Sequence, residues 1–186
     1  MTVEIRRVVT GVNAEGKAVV IQDGLAPKTN SRPAAKLEGA MIWITDETPA
    51  ELSKYDDPTL RDEIGVGPPD GGSLMRIVDF LPAPDDIDNE AFLKDLGMDT
   101  SQRQSAAAHP FMHRTRSLDY AIVLKGEIDV FIDDTVVHLK EGDVVVQRGT
   151  NHAWVNKGAK PCRIAFVMVD ARDFPPPNGK AFPQPG

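Results

Sequence analysis

The chain has 186 residues, of which 41% are hydrophobic, and its formal net charge is −7. This length fits one domain with short additional segments, and the hydrophobic fraction is ordinary for a globular protein with one core. The acidic residues are scattered and no basic stripe is present, so the composition argues against nucleic acid as a partner.

The first seventy residues predict strands joined by long connections. Two β-type runs, 6–10 and 17–22, flank the turn-prone sequence GVNAEG and predict a hairpin. The next segment, 23–39, is rich in turn formers and is predicted to be a loop, ahead of a third strand at 40–45. Residues 46–70 are interpreted as a connection with room for one short helical turn.

The rest of the chain predicts a barrel or sandwich of short strands. Residues 73–82 alternate as a strand, and 85–98 predict the one helix, with aspartates at its start and a glycine at its end. Further β-type runs are separated by short Gly, Asp and Asn turns, a spacing that favours a sandwich or barrel; they are 118–133, 135–140, 143–147, 152–156 and 162–170.

These patterns divide the chain into three segments. Residues 1–72 are expected to be N-terminal strands and loops that pack on the barrel or on a partner, and residues 73–170 are expected to form the barrel. Residues 171–186 are proline-rich without periodicity and predict a loose or docked arm.

The cysteine content and the hydropathy pattern predict a cytoplasmic protein. Cys162 is the one cysteine, so no intrachain disulfide can form, and its place in an apolar run indicates a core residue. The first residues lack the apolar segment and the cleavage site of a secretory signal. No stretch is apolar for the length that a bilayer requires, so no membrane partner is expected.

Two segments, 113–126 and 142–156, resemble the paired motifs of the cupin superfamily. The first motif runs His-x-His, three or four residues, Glu, six residues, Gly; here the matching residues are His113, Asp119 and Gly126, and Thr115 replaces the second histidine. In the second motif the turn is one residue shorter, and Arg148 stands where proline is usual; the matching residues are Gly142, Gly149, His152 and Asn156. The resemblance implies an all-β cupin jelly-roll barrel and a homodimer, and the patterns above add an N-terminal β extension and one short helix.

Strand geometry indicates how these residues could meet. Side chains alternate between the faces of a strand, so His113 and Thr115 share one face, and His152 and Trp154 share another. If both faces point into a barrel, two imidazoles and the Asp119 carboxylate converge. Two histidines and one carboxylate are typical of non-haem Fe(II) sites, and Zn²⁺, Mn²⁺ or Ni²⁺ would also suit them.

The predicted metal ligands are therefore His113, Asp119 and His152, with a divalent transition metal as cofactor. The alternative is a hydrogen-bonded histidine pair in a dry or ligand-filled barrel, with Asp119 in a salt bridge to Arg114 or Arg116. Further residues are predicted to shape a small-molecule pocket; they are His109, Thr115, Gln147, Arg148, Trp154 and Asn156.

The sequence favours a metal-dependent enzyme that acts on a small organic acid or carbonyl compound, as an oxygenase, decarboxylase, isomerase or hydratase. The absence of the second motif histidine keeps a non-catalytic binding or sensor protein as the alternative. A scaffold protein is a third reading, and it would fill the barrel with side chains. No nucleotide-binding fingerprint is present.

Overall fold

The structure, a computed structural model, describes residues 3–54, 56–83 and 112–172. Nearly all regular structure in these residues is β-strand, with one short 3-10 turn at Pro58–Leu60. The strands in chain order are β1 Arg6–Val12, β2 Ala18–Leu25, β3 Thr29–Arg32, β4 Leu37–Thr45, β5 Ser73–Phe80, β6 Ser117–Lys125, β7 Glu127–Ile132, β8 Thr135–Lys140, β9 Val144–Arg148, β10 Ala153–Val155 and β11 Cys162–Asp170.

The described strands form two larger sheets and one hairpin, and every pairing is antiparallel. The six-stranded sheet has the order β3-β4-β5-β11-β6-β9, and the three-stranded sheet has the order β10-β7-β8. Several neighbours in the six-stranded sheet are distant in sequence, as in β5-β11-β6, which is the crossing connectivity of a jelly roll. The prediction of an all-β jelly-roll barrel is confirmed.

The core lies between the two larger sheets. One cluster of buried side chains joins Leu74 and Ile164 of the six-stranded sheet to Ile128 and Val130 of the three-stranded sheet. These residues follow the two-residue alternation of their strands, which turns one face of each sheet inward. Complete burial of such an aliphatic side chain contributes about 1.5–3 kcal/mol, so this layer is the main source of stability for the barrel.

The predicted N-terminal hairpin is confirmed as β1 and β2. The prediction of a loop across 23–39 is wrong in part, because β3 pairs there with β4, and β4 pairs with β5. Strand β3 has the sequence TNSR without apolar alternation, and such a segment can hold an edge position where only one neighbour is needed. The six-stranded sheet therefore continues across the boundary predicted at residue 72.

The short helical turn expected in residues 46–70 is present as the 3-10 turn, where the Asp57 carboxylate accepts from the Thr59 backbone N–H. The helix predicted at 85–98 and the arm from 173 onward lie outside the described residues. In the part of the chain that the structure describes, no helix has the length and apolar character to cross a membrane.

Candidate functional site

The two motif histidines lie side by side inside the barrel. His113 and His152 form an isolated antiparallel bridge in which each backbone N–H donates to the other carbonyl, at 2.9 and 3.0 Å. A directly opposed pair puts both side chains on one face, and the ring centroids are 4.4 Å apart. The backbone pairing therefore fixes the distance between the two imidazoles.

The register between β6 and β9 brings a carboxylate and an amide to this pair. Asp119 is the Cα partner of Gln147, and both side chains are buried. The Gln147 Nε2 atom lies 3.2 Å from Asp119 Oδ2 and 3.1 Å from His152 Nε2. The amide nitrogen carries two hydrogens, so it can donate one to the carboxylate and one to the ring.

The hydrogen bonds of His152 define its tautomer. Nδ1 lies 2.9 Å from the Thr150 carbonyl, which can only accept, so Nδ1 carries the proton. Nε2 is then a lone-pair acceptor, and this is the atom that faces Gln147. Burial lowers the pKa of His152 to about 3, and the neighbouring His113 adds to the effect, so the ring is neutral at physiological pH.

These side chains border a cavity of about 100 Å³, called here the inner cavity. Its polar lining consists of Arg76, His113, Thr115, Asp119 and His152. The remaining wall is mainly apolar and includes Leu37, Val78, Phe80, Trp154, Phe166 and Met168. An apolar cavity with a few convergent polar groups is the usual form of a small-molecule site, and it differs from the filled barrel of a scaffold.

Arg76 is the residue of this site that the sequence analysis missed. It lies on β5 between the buried residues Leu74 and Val78, and its Nη2 atom donates to the carbonyls of Gly65, at 3.2 Å, and Val66. The signal was present in the sequence, because the alternation that turns Leu74, Val78 and Phe80 inward also turns Arg76 inward. An arginine in an otherwise apolar series on the inner face is unusual enough to mark a site.

The charges of Arg76 and Asp119 are perturbed by their surroundings. Burial lowers the pKa of Arg76 to about 10; the charge of Arg32 adds to this effect and the charge of Asp119 opposes it. Burial raises the pKa of Asp119 above its ordinary value, against the influence of Ser117, Thr115 and Arg76. Both groups are thus pushed toward their neutral forms, as expected for charges that protein atoms surround.

Three buried polar atoms of the described residues lack a hydrogen-bond partner, and all three belong to this region. They are Arg76 Nε, Ser117 Oγ and Asp119 Oδ1. Ser117 and Asp119 point to the same face of β6, two residues apart. A buried donor or acceptor without a partner costs about 1–3 kcal/mol, and two of the three residues, Arg76 and Asp119, line the inner cavity.

Some of the other predicted pocket residues are at the inner cavity and others are not. Thr115 and Trp154 line the inner cavity, and Gln147 contacts two residues that line it. Arg148 does not line it, because alternation along β9 exposes Arg148 where it buries Gln147. Asn156 is buried but serves the backbone: its amide donates to the carbonyls of Phe80, at 2.7 Å, and Lys160, at 2.8 Å.

Two further expectations concern His109 and the alternative salt bridge of Asp119. His109 lies outside the described residues. The salt bridge suggested as an alternative for Asp119 is not made with Arg116, because that guanidinium instead pairs with Asp70 and with Asp170, the latter at 3.2 Å.

The predicted metal ligands line one cavity but are not gathered into a ligand cluster. Across residues 3–54, 56–83 and 112–172, no three His, Cys, Asp or Glu side chains are grouped so that they could hold a metal ion. Gln147 explains part of this, because its amide nitrogen contacts both Asp119 and His152.

An antiparallel jelly-roll barrel with a polar cluster at an interior cavity is an architecture that cupins share with other jelly rolls. Residues 102–169 match the family model of the cupin domain. The chain is 32% identical over 173 residues to a cupin-domain-containing oxidoreductase of Hypocrea virens, an alignment that covers 89% of this chain and 76% of that protein. The chain therefore belongs to the cupin family.

Two further comparisons add context. A phomopsin biosynthesis cluster protein of Diaporthe leptostromiformis is 33% identical over 138 residues, which is 71% of this chain; the chain spans 60% of that relative's length. Among solved structures, a putative ethanolamine utilization protein Q of Salmonella typhimurium is similar, with a TM-score of 0.45 and 11% identity over 91% of this chain and 99% of that one.

Proposed function

We propose that this cupin is a metal-dependent enzyme that acts on a small organic acid or carbonyl compound in the inner cavity. The observation that carries the proposal is the convergence of two imidazoles, a carboxylate and a guanidinium on one apolar cavity. Relatives named as cupin-domain-containing oxidoreductases favour oxidation-reduction among the reactions considered.

The donor atoms fit a divalent transition metal in kind. His152 has Nδ1–H fixed on the Thr150 carbonyl, an arrangement that commonly orients the other nitrogen toward a metal. Asp119 has one carboxylate oxygen without a partner, and His113 stands directly opposite His152. His113, Asp119 and His152 would hold the ion once Gln147 gives up its hydrogen bonds to the two deeper ligands. A divalent ion at these ligands would polarise a substrate oxygen or activate O₂.

The remaining side chains would bind and orient the substrate. Phe80, Trp154 and Phe166 offer apolar walls that exclude water, and their rings pack against one another with centroids 5.5 to 6.4 Å apart. Arg76 would receive a negatively charged oxygen through the N–H that has no protein partner. Thr115 occupies the cavity wall where the family motif has its second histidine, which leaves more room beside the ligands for substrate.

One observation favours a second candidate, a binding or sensor protein without turnover. The Gln147 amide already satisfies His152 Nε2 and Asp119 Oδ2, so these two groups have partners without any metal. In that case the inner cavity would take an organic ligand through Arg76 and the apolar wall.

Elemental analysis of purified, untagged protein separates the two candidates. The parent is compared with His152→Ala, with Asp119→Ala and with His138→Ala, the last being an exposed histidine that pairs with Asp129 at 2.8 Å. The enzyme proposal expects near-stoichiometric metal in the parent and in His138→Ala, and loss of metal in the other two. A parent that stays metal-free after reconstitution, or cavity variants that keep the metal, would favour the binding protein.

A further inference from the structure

A second cavity adjoins the inner cavity on the other side of Arg76. It has a volume of about 170 Å³ and is called here the outer cavity. Both cavities are bordered by Leu37, Val66, Arg76 and Val78. Arg76 therefore stands in the wall between an apolar space and a more polar one.

The outer cavity carries an excess of positive charge. Its lining includes Lys28, Arg32 and Arg76, and the one acidic residue among its described lining residues is Asp62. Arg32 is close enough to Arg76 for its charge to disfavour the protonated guanidinium. Like charges held together in a partly buried wall repel each other, and a bound anion would relieve this repulsion.

The geometry around Arg76 leaves a donor for such an anion. Its Nη2 atom is held by the carbonyls of Gly65 and Val66, whereas its buried Nε has no partner. Arg76 is thus anchored through Nη2, and its Nε–H is left to donate.

We propose that the outer cavity is a carboxylate subsite, in which Arg76 and Arg32 bind the acid group of an organic substrate whose apolar part lies in the inner cavity. This deepens the proposed function, because it assigns the substrate class as an extended organic acid. Arg76 borders both cavities, so an acid group bound to its guanidinium lies next to the apolar space. An arginine presents planar N–H groups that suit a carboxylate better than a lysine would.

The test is calorimetric binding of 3-phenylpropionate and its neutral analogue 3-phenylpropanamide to protein kept metal-free with a chelator. Without metal, any preference for the acid must come from protein side chains. We expect the parent to bind the acid roughly 10- to 100-fold more tightly than the amide, as for a charged hydrogen bond in a partly buried site. Arg76→Met and Arg32→Met should lose most of this preference and leave the amide affinity unchanged.

Arg6→Met is the matched control, because Arg6 is an exposed arginine paired with Asp23 at 2.8 Å, and it should keep the full preference. Arg32→Met guards against a folding defect in Arg76→Met, since Arg32 is only half-buried. Equal affinity of the parent for acid and amide would overturn the subsite, and so would a preference that survives both cavity substitutions.

Inorganic phosphate serves as a second probe for the source of the anion. If phosphate alone displaces 3-phenylpropionate at equal concentration, the subsite binds free anions and the proposal of an extended acid is wrong. Failure of the metal proposal would be visible in the elemental analysis. The calorimetry is independent of that result, because it contains no metal. A metal-free protein that prefers the acid would keep the subsite and lose only the metal-dependent reaction.

Discussion

Two arginine–aspartate clusters are buried in this barrel, and they differ in how fully their hydrogen bonds are satisfied. In the first, Arg7 donates to the Ile42 carbonyl at 3.2 Å, to Gln22 Oε1 at 2.6 Å, to Thr59 Oγ1 at 3.3 Å and to both carboxylate oxygens of Asp57. Asp57 also accepts from the Thr59 backbone at 3.0 Å. This cluster ties the N-terminal hairpin to the 3-10 turn.

The second cluster, Arg76 with Asp119, is unsatisfied at its centre. Arg76 Nε and Asp119 Oδ1 both lack partners, and both residues border the inner cavity. A buried network with all its hydrogen bonds made favours a single structure. An unsaturated network lowers the stability of the protein, and a bound ligand that supplies the missing hydrogen bonds would remove that cost. The comparison therefore distinguishes a saturated buried ion pair from an unsaturated polar cluster without reference to any motif.

The pKa values of Asp57 and Asp119 reflect the same difference between the two clusters. Burial would raise the pKa of Asp57, but the hydrogen bonds from Arg7 and Thr59 outweigh it and hold the value below the ordinary one. At Asp119, burial outweighs the nearby hydroxyls and the charge of Arg76, and the pKa is raised. Proximity to an arginine does not by itself stabilise a carboxylate; close hydrogen bonds decide the direction.

The largest expected effect comes from replacing each arginine with methionine. Arg7→Met leaves Asp57 buried without its partner and should lower the free energy of unfolding by about 3–5 kcal/mol. Arg76→Met removes a guanidinium that is only partly bonded, and the Gly65 and Val66 carbonyls can turn to water in the cavity. Its cost should stay below about 1.5 kcal/mol.

Urea unfolding of the two variants beside the parent measures this difference. The slope of the transition should be unchanged, so that midpoints compare directly. Equal losses in the two variants would remove the distinction between the clusters, because Arg76 would then stabilise the fold as Arg7 does.

The next effect is a pH dependence that belongs to Asp57. Its folded-state pKa lies below its unfolded value, so its contribution is fully present above about pH 4 and is lost as pH falls through the folded pKa. Asp57→Asn should cost about 1.5–3 kcal/mol at pH 7 and progressively less below pH 4. Thermal unfolding from pH 7 to pH 2.5 checks this, and a cost that stays constant across the range would contradict it.

Much of the fold could be predicted because alternation is strong wherever a strand has a buried face. β5 and β11 alternate clearly and were placed within one or two residues, whereas the predicted run 118–133 covers both β6 and β7. β3 was missed because its residues TNSR carry no apolar signal, and only its pairing with β4 makes it a strand. A strand that is defined by its partner and not by its own apolar pattern cannot be recognised from its own residues.

The site was predictable where a motif and a strand face agree. His113, Thr115, Asp119, His152 and Trp154 all line the inner cavity. Arg148 and Asn156 were assigned to the pocket from motif position, although strand alternation exposes the first and backbone carbonyls occupy the second. Arg76 belongs to no motif, and the alternation of β5 that turns it inward was the one sequence signal for it.

The smallest expected effect is the sharpest comparison, because it makes the same substitution in the two clusters. Asp119→Asn replaces a carboxyl whose surroundings favour the neutral form, and the amide oxygen can still accept from Gln147. In chelator at pH 7 the free energy of unfolding should change by less than about 1 kcal/mol, whereas Asp57→Asn should lose at least that much. Chelator is needed because a bound metal would stabilise the parent by mass action. A larger loss in Asp119→Asn would mean that the charge of Asp119 supports the fold, and the unsatisfied cluster would then be structural after all.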